Sequence, residues 1–192
     1  MKKVSTPKQI DKKLLQKLDI FVNELKQDFV LVGSDTDKDV QIIESYHTQL
    51  HSSHIMIYID FKKVSNMQEL AEAILAECYK VFGRHIDEEL HELLSYWREE
   101  EDYRFLDKIL EVPQTMAEKL QTTIIFWNEN FTEVLSLQDV SLVCNMMRGA
   151  FQMQQDVLHI FTSQDIGLVN KIFMDYNKPF FRFARIVKLS EE

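Results

Sequence analysis

Glycine is scarce in this sequence. Only four glycines occur among the 192 residues, whereas average usage would give about 13. They are widely separated along the chain, at Gly33, Gly83, Gly149 and Gly167. The sequence therefore contains no intact GxxxxGK(S/T) phosphate loop, no GxGxxG motif and no GxSxG motif. Enzymes that depend on those glycine-rich turns are excluded.

Cysteine and long apolar runs are also lacking. The two cysteines, Cys78 and Cys144, form no CxxC motif, and one pair is too few for a secreted disulfide framework. The first residues contain no apolar signal-peptide segment, and no apolar run is long enough to form a membrane helix. We therefore expect a cytoplasmic protein of a reducing compartment that does not associate with membranes.

Charge is present but unevenly distributed, with a formal net charge of -9. Residues 85–111 contain ten acidic and three basic side chains, and residues 170–188 contain five basic and one acidic. Such asymmetry is typical either of a partner surface or anion site, or simply of solvated helix faces. Because the net charge is negative, we do not expect nucleic-acid binding. A local contact would have to use the basic C-terminal segment.

Short apolar runs alternate with amphipathic helical patterns along the chain. Strands are predicted at residues 29–33, 55–60, 123–127, 157–162 and 183–187. Helices are predicted at residues 7–27, 37–50, 67–82, 86–97 and 103–110, after Pro113, and at residues 137–153 and 166–174. This alternation predicts an α/β fold in which a parallel sheet of about five strands has helices on both faces. We expect one domain over residues 1–192, with an N-terminal helix within residues 1–27 and a helical insertion at residues 84–121.

Polar residues follow the predicted strands, at the edge where parallel sheets bind ligands. The first strand ends at Gly33, and an acidic turn follows it that contains Asp35, Asp37 and Asp39. Asn128 and Glu129 follow the third strand, and Thr162 and Ser163 follow the fourth. The C-terminal segment adds Arg182 and Arg185.

The order of these segments resembles the P-loop ATPases of the AAA-related type found in archaea and bacteria. Residues 57–60 are similar to the family's strand that ends in Asp, and residues 124–129 to its strand that ends in Asp-Glu. Residues 160–164 resemble the strand that ends in Thr-Gly-Ser, and residues 178–189 resemble the closing Pro-Phe-Tyr segment, which is the most specific match. The resemblance covers residues 29–189 and implies the three-layer P-loop topology. Active members usually continue into a helical lid and a winged-helix domain, and we expect neither here.

The phosphate-loop region departs from the family pattern. With Gly33 aligned to the first loop glycine, Lys38 falls at the second glycine, Asp39 at the phosphate lysine and Val40 at the Mg²⁺ hydroxyl. A loop one residue shorter would instead make Lys38 the phosphate lysine and Asp39 a metal ligand. Carboxylates stabilise a helix N-terminus but repel polyphosphate. We therefore predict that carboxylates of the acidic turn replace the phosphate and accept backbone N–H bonds at the first turn of the following helix.

The family position that orients Mg²⁺ is also altered. Asn128 stands where the family has an aspartate, and an amide has no charge with which to hold the cation's water shell. Glu129 keeps the position of the residue that polarises the attacking water, although a solvated turn residue would fit the same pattern. It is the only family-position candidate for a catalytic residue.

The remaining family positions allow two interpretations each. Thr162 and Ser163 either contact a γ-phosphate or cap the next helix, as strand-end hydroxyls commonly do. Arg182 and Arg185 either sense phosphate or cover the surface with their aliphatic stems.

Two patterns in the sequence resemble metal sites, and we expect neither to be a dedicated site. The acidic turn begins like a Ca²⁺ loop, but Val40 and Tyr46 occupy the positions that need Gly and Glu. His47, His51 and His54 have a spacing that could bind Zn²⁺ adventitiously, without the glutamate of an HExxH motif.

Together these patterns predict a degenerate ATPase-like domain that serves as an interaction module without hydrolysis, with no metal or nucleotide cofactor. The alternative is a divergent ATP-binding protein or ATPase that uses ATP and Mg²⁺. The expected partner is another protein or a second copy of the chain, and the acidic helical insertion is a candidate interface.

Overall fold

A parallel sheet of five strands forms the centre of the molecule, in a computed structural model that describes residues 12–34, 37–86, 91, 95 and 102–189. The strand order is β2-β3-β4-β1-β5. The strands are β1 Phe29–Val32, β2 Ile55–Asp60, β3 Ile124–Glu129, β4 Val157–Ser163 and β5 Arg185–Lys188. All neighbouring pairs are parallel. The five predicted strands are thus confirmed, and the α/β fold class with them.

Helices connect the strands and cover both faces of the sheet. They are α1 Lys12–Asn23, α2 Asp37–Ser53, α3 Met67–Phe82, α4 Asp102–Leu120, α5 Val140–Met153 and α6 Ile166–Phe173, with 3₁₀ turns at Phe61–Lys63 and Phe131–Ser136. Most of the helix predicted at residues 86–97 lies outside the described residues, as does the start of the one predicted at 7–27. None of the described helices combines the length and apolar character needed to cross a membrane.

The predicted helix break at Pro113 is wrong, because α4 continues through this proline. A proline inside a helix removes one hydrogen bond and crowds the preceding turn. Burial outweighs that cost here, since seven other residues of α4 on both sides of Pro113 are in the core: Phe105, Leu106, Ile109, Leu110, Val112, Met116 and Ala117. α5 begins three residues later than predicted, because the 3₁₀ turn at Phe131–Ser136 precedes it.

Two hydrophobic layers lie on opposite faces of the sheet. One contains buried side chains of α3, α4, α5 and α6, and the other those of α1 and α2. Successive strand residues alternate between the layers, so Phe126 belongs to the first and Trp127 to the second. Phe131 packs in the first layer with ring-centroid distances of 4.6–5.8 Å to four other phenylalanines, Phe61, Phe161, Phe173 and Phe180.

His159 lies at the middle of β4 and is completely buried. Its ring stacks on Phe151 with 3.8 Å between centroids. Its Nε2 atom is 2.8 Å from Gln154 Oε1. Because the Gln154 amide nitrogen donates to the Leu110 carbonyl, Oε1 is the acceptor and His159 donates from Nε2. Burial lowers the pKa of His159 to about 3.

Asp28 immediately precedes β1 and is bonded to the same part of β4. Its Oδ1 accepts the backbone N–H of His159 at 2.7 Å. Burial raises the pKa of Asp28 to about 6, and this effect is larger than the opposing effects of the His159 amide and the Arg148 guanidinium. The folded state therefore favours the neutral forms of both Asp28 and His159.

Asp28→Asn should make the free energy of unfolding more sensitive to acid than that of the wild-type protein. Between about pH 4 and 6, Asp28 binds a proton only in the folded state and His159 only in the unfolded state, so their effects on stability cancel. The variant keeps an oxygen for the His159 amide but loses the aspartate's effect. We expect its free energy of unfolding to fall by up to about 1.4 kcal/mol per pH unit, relative to wild type, as pH decreases from about 6 to 4.

Urea denaturation at about pH 6, 5 and 4 measures this difference. The control is Asp107→Asn, which changes an exposed aspartate on α4 and should follow the wild-type pH dependence. Parallel pH dependence of Asp28→Asn and wild type would contradict the prediction.

Candidate functional site

Gly33 allows α2 to close directly on the end of β1. Its N–H donates to the Ser163 carbonyl at 3.0 Å, which extends the pairing of β1 with β4. A Cβ at this position would lie 3.1 Å from Asp39 Cβ and 3.4 Å from Ile43 Cδ1. None of the four glycines has a positive φ. Gly33 therefore allows close packing against α2, where a side chain would require its neighbours to shift by a few tenths of an ångström, and serves no unusual backbone conformation.

Asp39, in the first turn of α2, is completely buried. Its Oδ2 accepts the backbone N–H of Ser34 at 2.7 Å and the Ser34 hydroxyl at 2.6 Å. Hydrogen bonds to an ionised acceptor are shorter and stronger than neutral ones. In a phosphate-binding turn, backbone N–H groups at this place point toward the bound anion. Here a carboxylate of the protein accepts one of them.

Asp39 thus accepts a backbone N–H bond at the acidic turn, but the predicted donors in the first turn of α2 are not among its described partners and stay a prediction. The expected donor was an amide in the first turn of α2, whereas the observed amide belongs to Ser34, before the helix. Asp35 and the side chain of Asp37 lie outside the described residues. The neighbouring Lys38 side chain is exposed.

Asn128 is fully buried within the sheet. Its amide nitrogen lies 3.1 Å from the Phe126 carbonyl and 3.4 Å from the Ile160 carbonyl, and donates to both. Its Oδ1 atom has no hydrogen-bond partner among the described residues. The amide group is therefore held between β3 and β4 by backbone carbonyls.

Glu129 ends β3 and lies opposite Asp60, the last residue of β2. Its Oε2 accepts a hydrogen bond from the indole Nε1 of Trp127, two residues earlier on the same strand. Since side chains two residues apart point to the same face, this bond draws the carboxylate toward the layer that contains α2. One oxygen of the Glu129 carboxylate is therefore bonded to a donor within the protein.

The other polar groups at the strand ends bond mainly to one another. Asn130 donates its backbone N–H to Thr162 Oγ1 at 3.1 Å and its amide to Asp60 at 2.8 Å. Ser163 Oγ lies 3.1 Å from Thr132 Oγ1 and accepts the N–H of Asp165, the N-cap residue of α6. The capping side chain of α6 is that of Asp165, which accepts the Leu168 N–H, so Thr162 and Ser163 make structural contacts other than the helix cap of the second interpretation.

The two arginines do not join this edge of the sheet as a pair. Arg185 is the first residue of β5 and lies in register with Phe29, the first residue of β1, so it sits at the opposite end of the strand from Gly33. Its guanidinium stacks 5.1 Å from the Phe21 ring, and that of Arg182 stacks 5.0 Å from Phe181. Both line an open groove of about 580 Å³ beside β5.

Another groove, of about 540 Å³, lies beside β2 and was not predicted from the sequence. It is lined from four elements: by Ile43, Glu44, His47, Thr48 and His51 of α2, by Met56 and Tyr58 of β2, by Glu77, Lys80 and Val81 of α3, and by Glu129 of β3. The histidine spacing was the only sequence signal for it. Within the described residues, no set of three or more His, Cys, Asp or Glu side chains could hold a metal ion.

Comparisons with known proteins bear on the fold. No protein-family model and no curated protein matches this sequence. The Walker-type ATPase of Pyrococcus abyssi superimposes with a TM-score of 0.65 at 13% identity, over 94% of this chain and 53% of that one. Cdc6p from Pyrobaculum aerophilum superimposes with a TM-score of 0.56 at 12% identity, over 98% of this chain and 48% of that one. The chain has the fold of the P-loop ATPases.

This chain spans about half the length of each of those two proteins. The ligands of this P-loop ATPase-like fold, ATP and Mg²⁺, fit its own residues poorly. The buried carboxylate of Asp39 would repel a phosphate at the turn after β1, and Val40 has no hydroxyl for the cation. Asn128 presents its donor nitrogen to backbone carbonyls and has no charge to orient the cation's water shell.

Asp39→Ala should destabilise the protein by about 2–3 kcal/mol, because it removes two hydrogen bonds to a charged group. Asp39→Asn retains an acceptor oxygen and should cost less. Urea denaturation near neutral pH measures both. Lys38→Ala is the matched control in the same helical turn, and its exposed side chain should make it neutral or slightly stabilising. Equal stability of Asp39→Ala and Lys38→Ala would show that the Asp39 bonds contribute nothing.

Proposed function

We propose that the chain is a degenerate P-loop ATPase-like domain that binds a partner and does not hydrolyse ATP. The observation that supports this most strongly is the Asp39 carboxylate, buried in the turn after β1 and bonded to Ser34 N–H and Oγ. A helix N-terminus that already holds an internal anion has little remaining attraction for a polyphosphate.

The residues at the end of β3 support the same proposal. Asn128 is neutral and bonds to two backbone carbonyls, so it supplies no charge for a cation. Glu129 keeps the family position for polarising water but accepts a bond from Trp127. A reaction that needs a charged metal site therefore lacks that group, and the carboxylate of Glu129 has one oxygen bonded to Trp127.

A divergent ATP-binding protein is the second candidate, and the fold is the observation that favours it. Two proteins of similar fold are a Walker-type ATPase and Cdc6p. In this candidate, Lys38 would have to turn from solvent toward the phosphate, and the Asp39 carboxylate would have to act as a metal ligand.

Calorimetric titration with ATP, with and without Mg²⁺, separates the two candidates. We expect no affinity tighter than about 1 mM, an association free energy of about -4 kcal/mol. The physical reason is that the phosphate lysine, the second loop glycine and the Mg²⁺ hydroxyl are absent from their positions.

Micromolar, Mg²⁺-dependent affinity would overturn the proposal. In that case Lys38→Ala should abolish binding, whereas Lys171→Ala, which removes an exposed lysine on α6, should leave it unchanged. The pair of variants distinguishes a phosphate contact at the turn after β1 from a general effect of lowered positive charge.

A further inference from the structure

The groove beside β2 brings together side chains that the strand-end contacts leave available. Its volume of about 540 Å³ lies within the range of small-molecule sites. Tyr58 and Met56 form its base on β2, an edge strand of the sheet. The groove adjoins the turn after β1 through α2, since Ile43 of its lining lies 3.4 Å from the position that a Gly33 Cβ would occupy.

The charges of the groove favour a cation. Three carboxylates line it, from Glu44, Glu77 and Glu129, against one lysine. That lysine, Lys80, already pairs with Glu77 at 2.9 Å. Neither Glu44 nor Glu129 forms an ion pair with any residue in the described part of the chain. The lining is therefore negative, and an anionic ligand would find no unpaired cation there.

His47 does not offset this negative charge. Burial, with a smaller contribution from neighbouring His51, lowers the pKa of His47, so its ring is neutral at physiological pH. Burial and the nearby carboxylates of Glu129, Asp60 and Glu77 raise the pKa of Tyr58 to about 12, which indicates a negative potential at its phenol.

Aromatic contacts fix the wall of the groove in place. The His47 ring packs edge-on against Tyr58 at 5.2 Å and against Trp127 at 5.0 Å, and Trp127 in turn bonds to Glu129. The Nε2 atom of His47 is buried and has no hydrogen-bond partner among the described residues. An imidazole nitrogen in that state can accept or donate one more hydrogen bond, according to its tautomer.

We propose that this groove binds an organic cation with a primary ammonium or guanidinium group. Glu44 and Glu129 supply the opposite charge, and the Tyr58 ring supplies a face for cation–π contact. The aliphatic part of the ligand lies against Ile43, Met56 and Val81, the apolar residues of the lining. The same chemistry is found in free amines and in the side chains of lysine and arginine in another protein.

Calorimetry on the full chain with matched probes tests the proposal. We expect n-butylammonium and agmatine to bind, agmatine with a Kd below about 1 mM, and neutral n-butanol not to bind. N-acetylarginine methylamide, compared with n-propylguanidinium of the same single charge, distinguishes the source: tighter binding than n-propylguanidinium indicates a protein side chain, and weaker binding a free cation. Equal affinity for n-butylammonium and n-butanol, or no binding of any cation below about 1 mM, would overturn the proposal.

Isosteric variants locate the site. Glu129→Gln removes a charge but leaves an oxygen for the Trp127 indole, and should weaken agmatine binding at least about tenfold. Glu133→Gln makes the same substitution four residues later, outside the groove, and should have no effect. Because Glu129 packs at a strand end, Glu44→Gln on the exposed side of α2 provides a second test and should weaken binding severalfold. Wild-type affinity in both Glu129→Gln and Glu44→Gln would contradict the assignment.

Discussion

The buried carboxylate of Asp39 lies in the first turn of α2, directly after the end of β1. The N-terminus of α2 carries a partial positive charge, and the amide of Ser34 needs an acceptor. A buried charge is costly unless it is hydrogen-bonded, and two short bonds to Ser34 meet that requirement. Gly33 makes the arrangement sterically feasible, since any side chain there would meet Asp39. The turn is therefore electrostatically satisfied by the chain alone.

Polar groups at the neighbouring strand ends are also bonded within the protein. Asn130 adopts a left-handed conformation, and its amide and backbone N–H join the end of β2 to the end of β4. Ser163 joins β4 to the start of α6. Each of these polar groups finds a partner within the protein, as buried polar groups generally must. Along this edge the polar residues stabilise the sheet and its connections.

The sequence was sufficient to predict the strands because all are short β-rich runs, and those of β1, β3 and β4 are apolar and buried on both faces along most of their length. It could not predict the path of α4 through Pro113, since the outcome depends on burial on both sides of the proline. The placement of Arg185 also escaped prediction, because it depends on the register of β5 against β1. The groove beside β2 is assembled from four elements that are distant in sequence, and only their packing brings the lining residues together.

Side-chain alternation along β3 explains why the centre and the edge of the sheet differ. Asn128 and Trp127 are adjacent in sequence, yet they point to opposite faces. Asn128 lies between strands, where backbone carbonyls are within reach. Trp127 and Glu129 face the layer of α2. They lie on β3, next to β2, which is an edge strand of the sheet. The amide nitrogen of Asn128 is paired by backbone carbonyls of the sheet, whereas Glu129, beside the edge strand, keeps one carboxylate oxygen outside its bond with Trp127. The groups that we propose for recognition therefore lie beside β2, whereas Ser34 and Asp39 at the turn after β1 are bonded to each other.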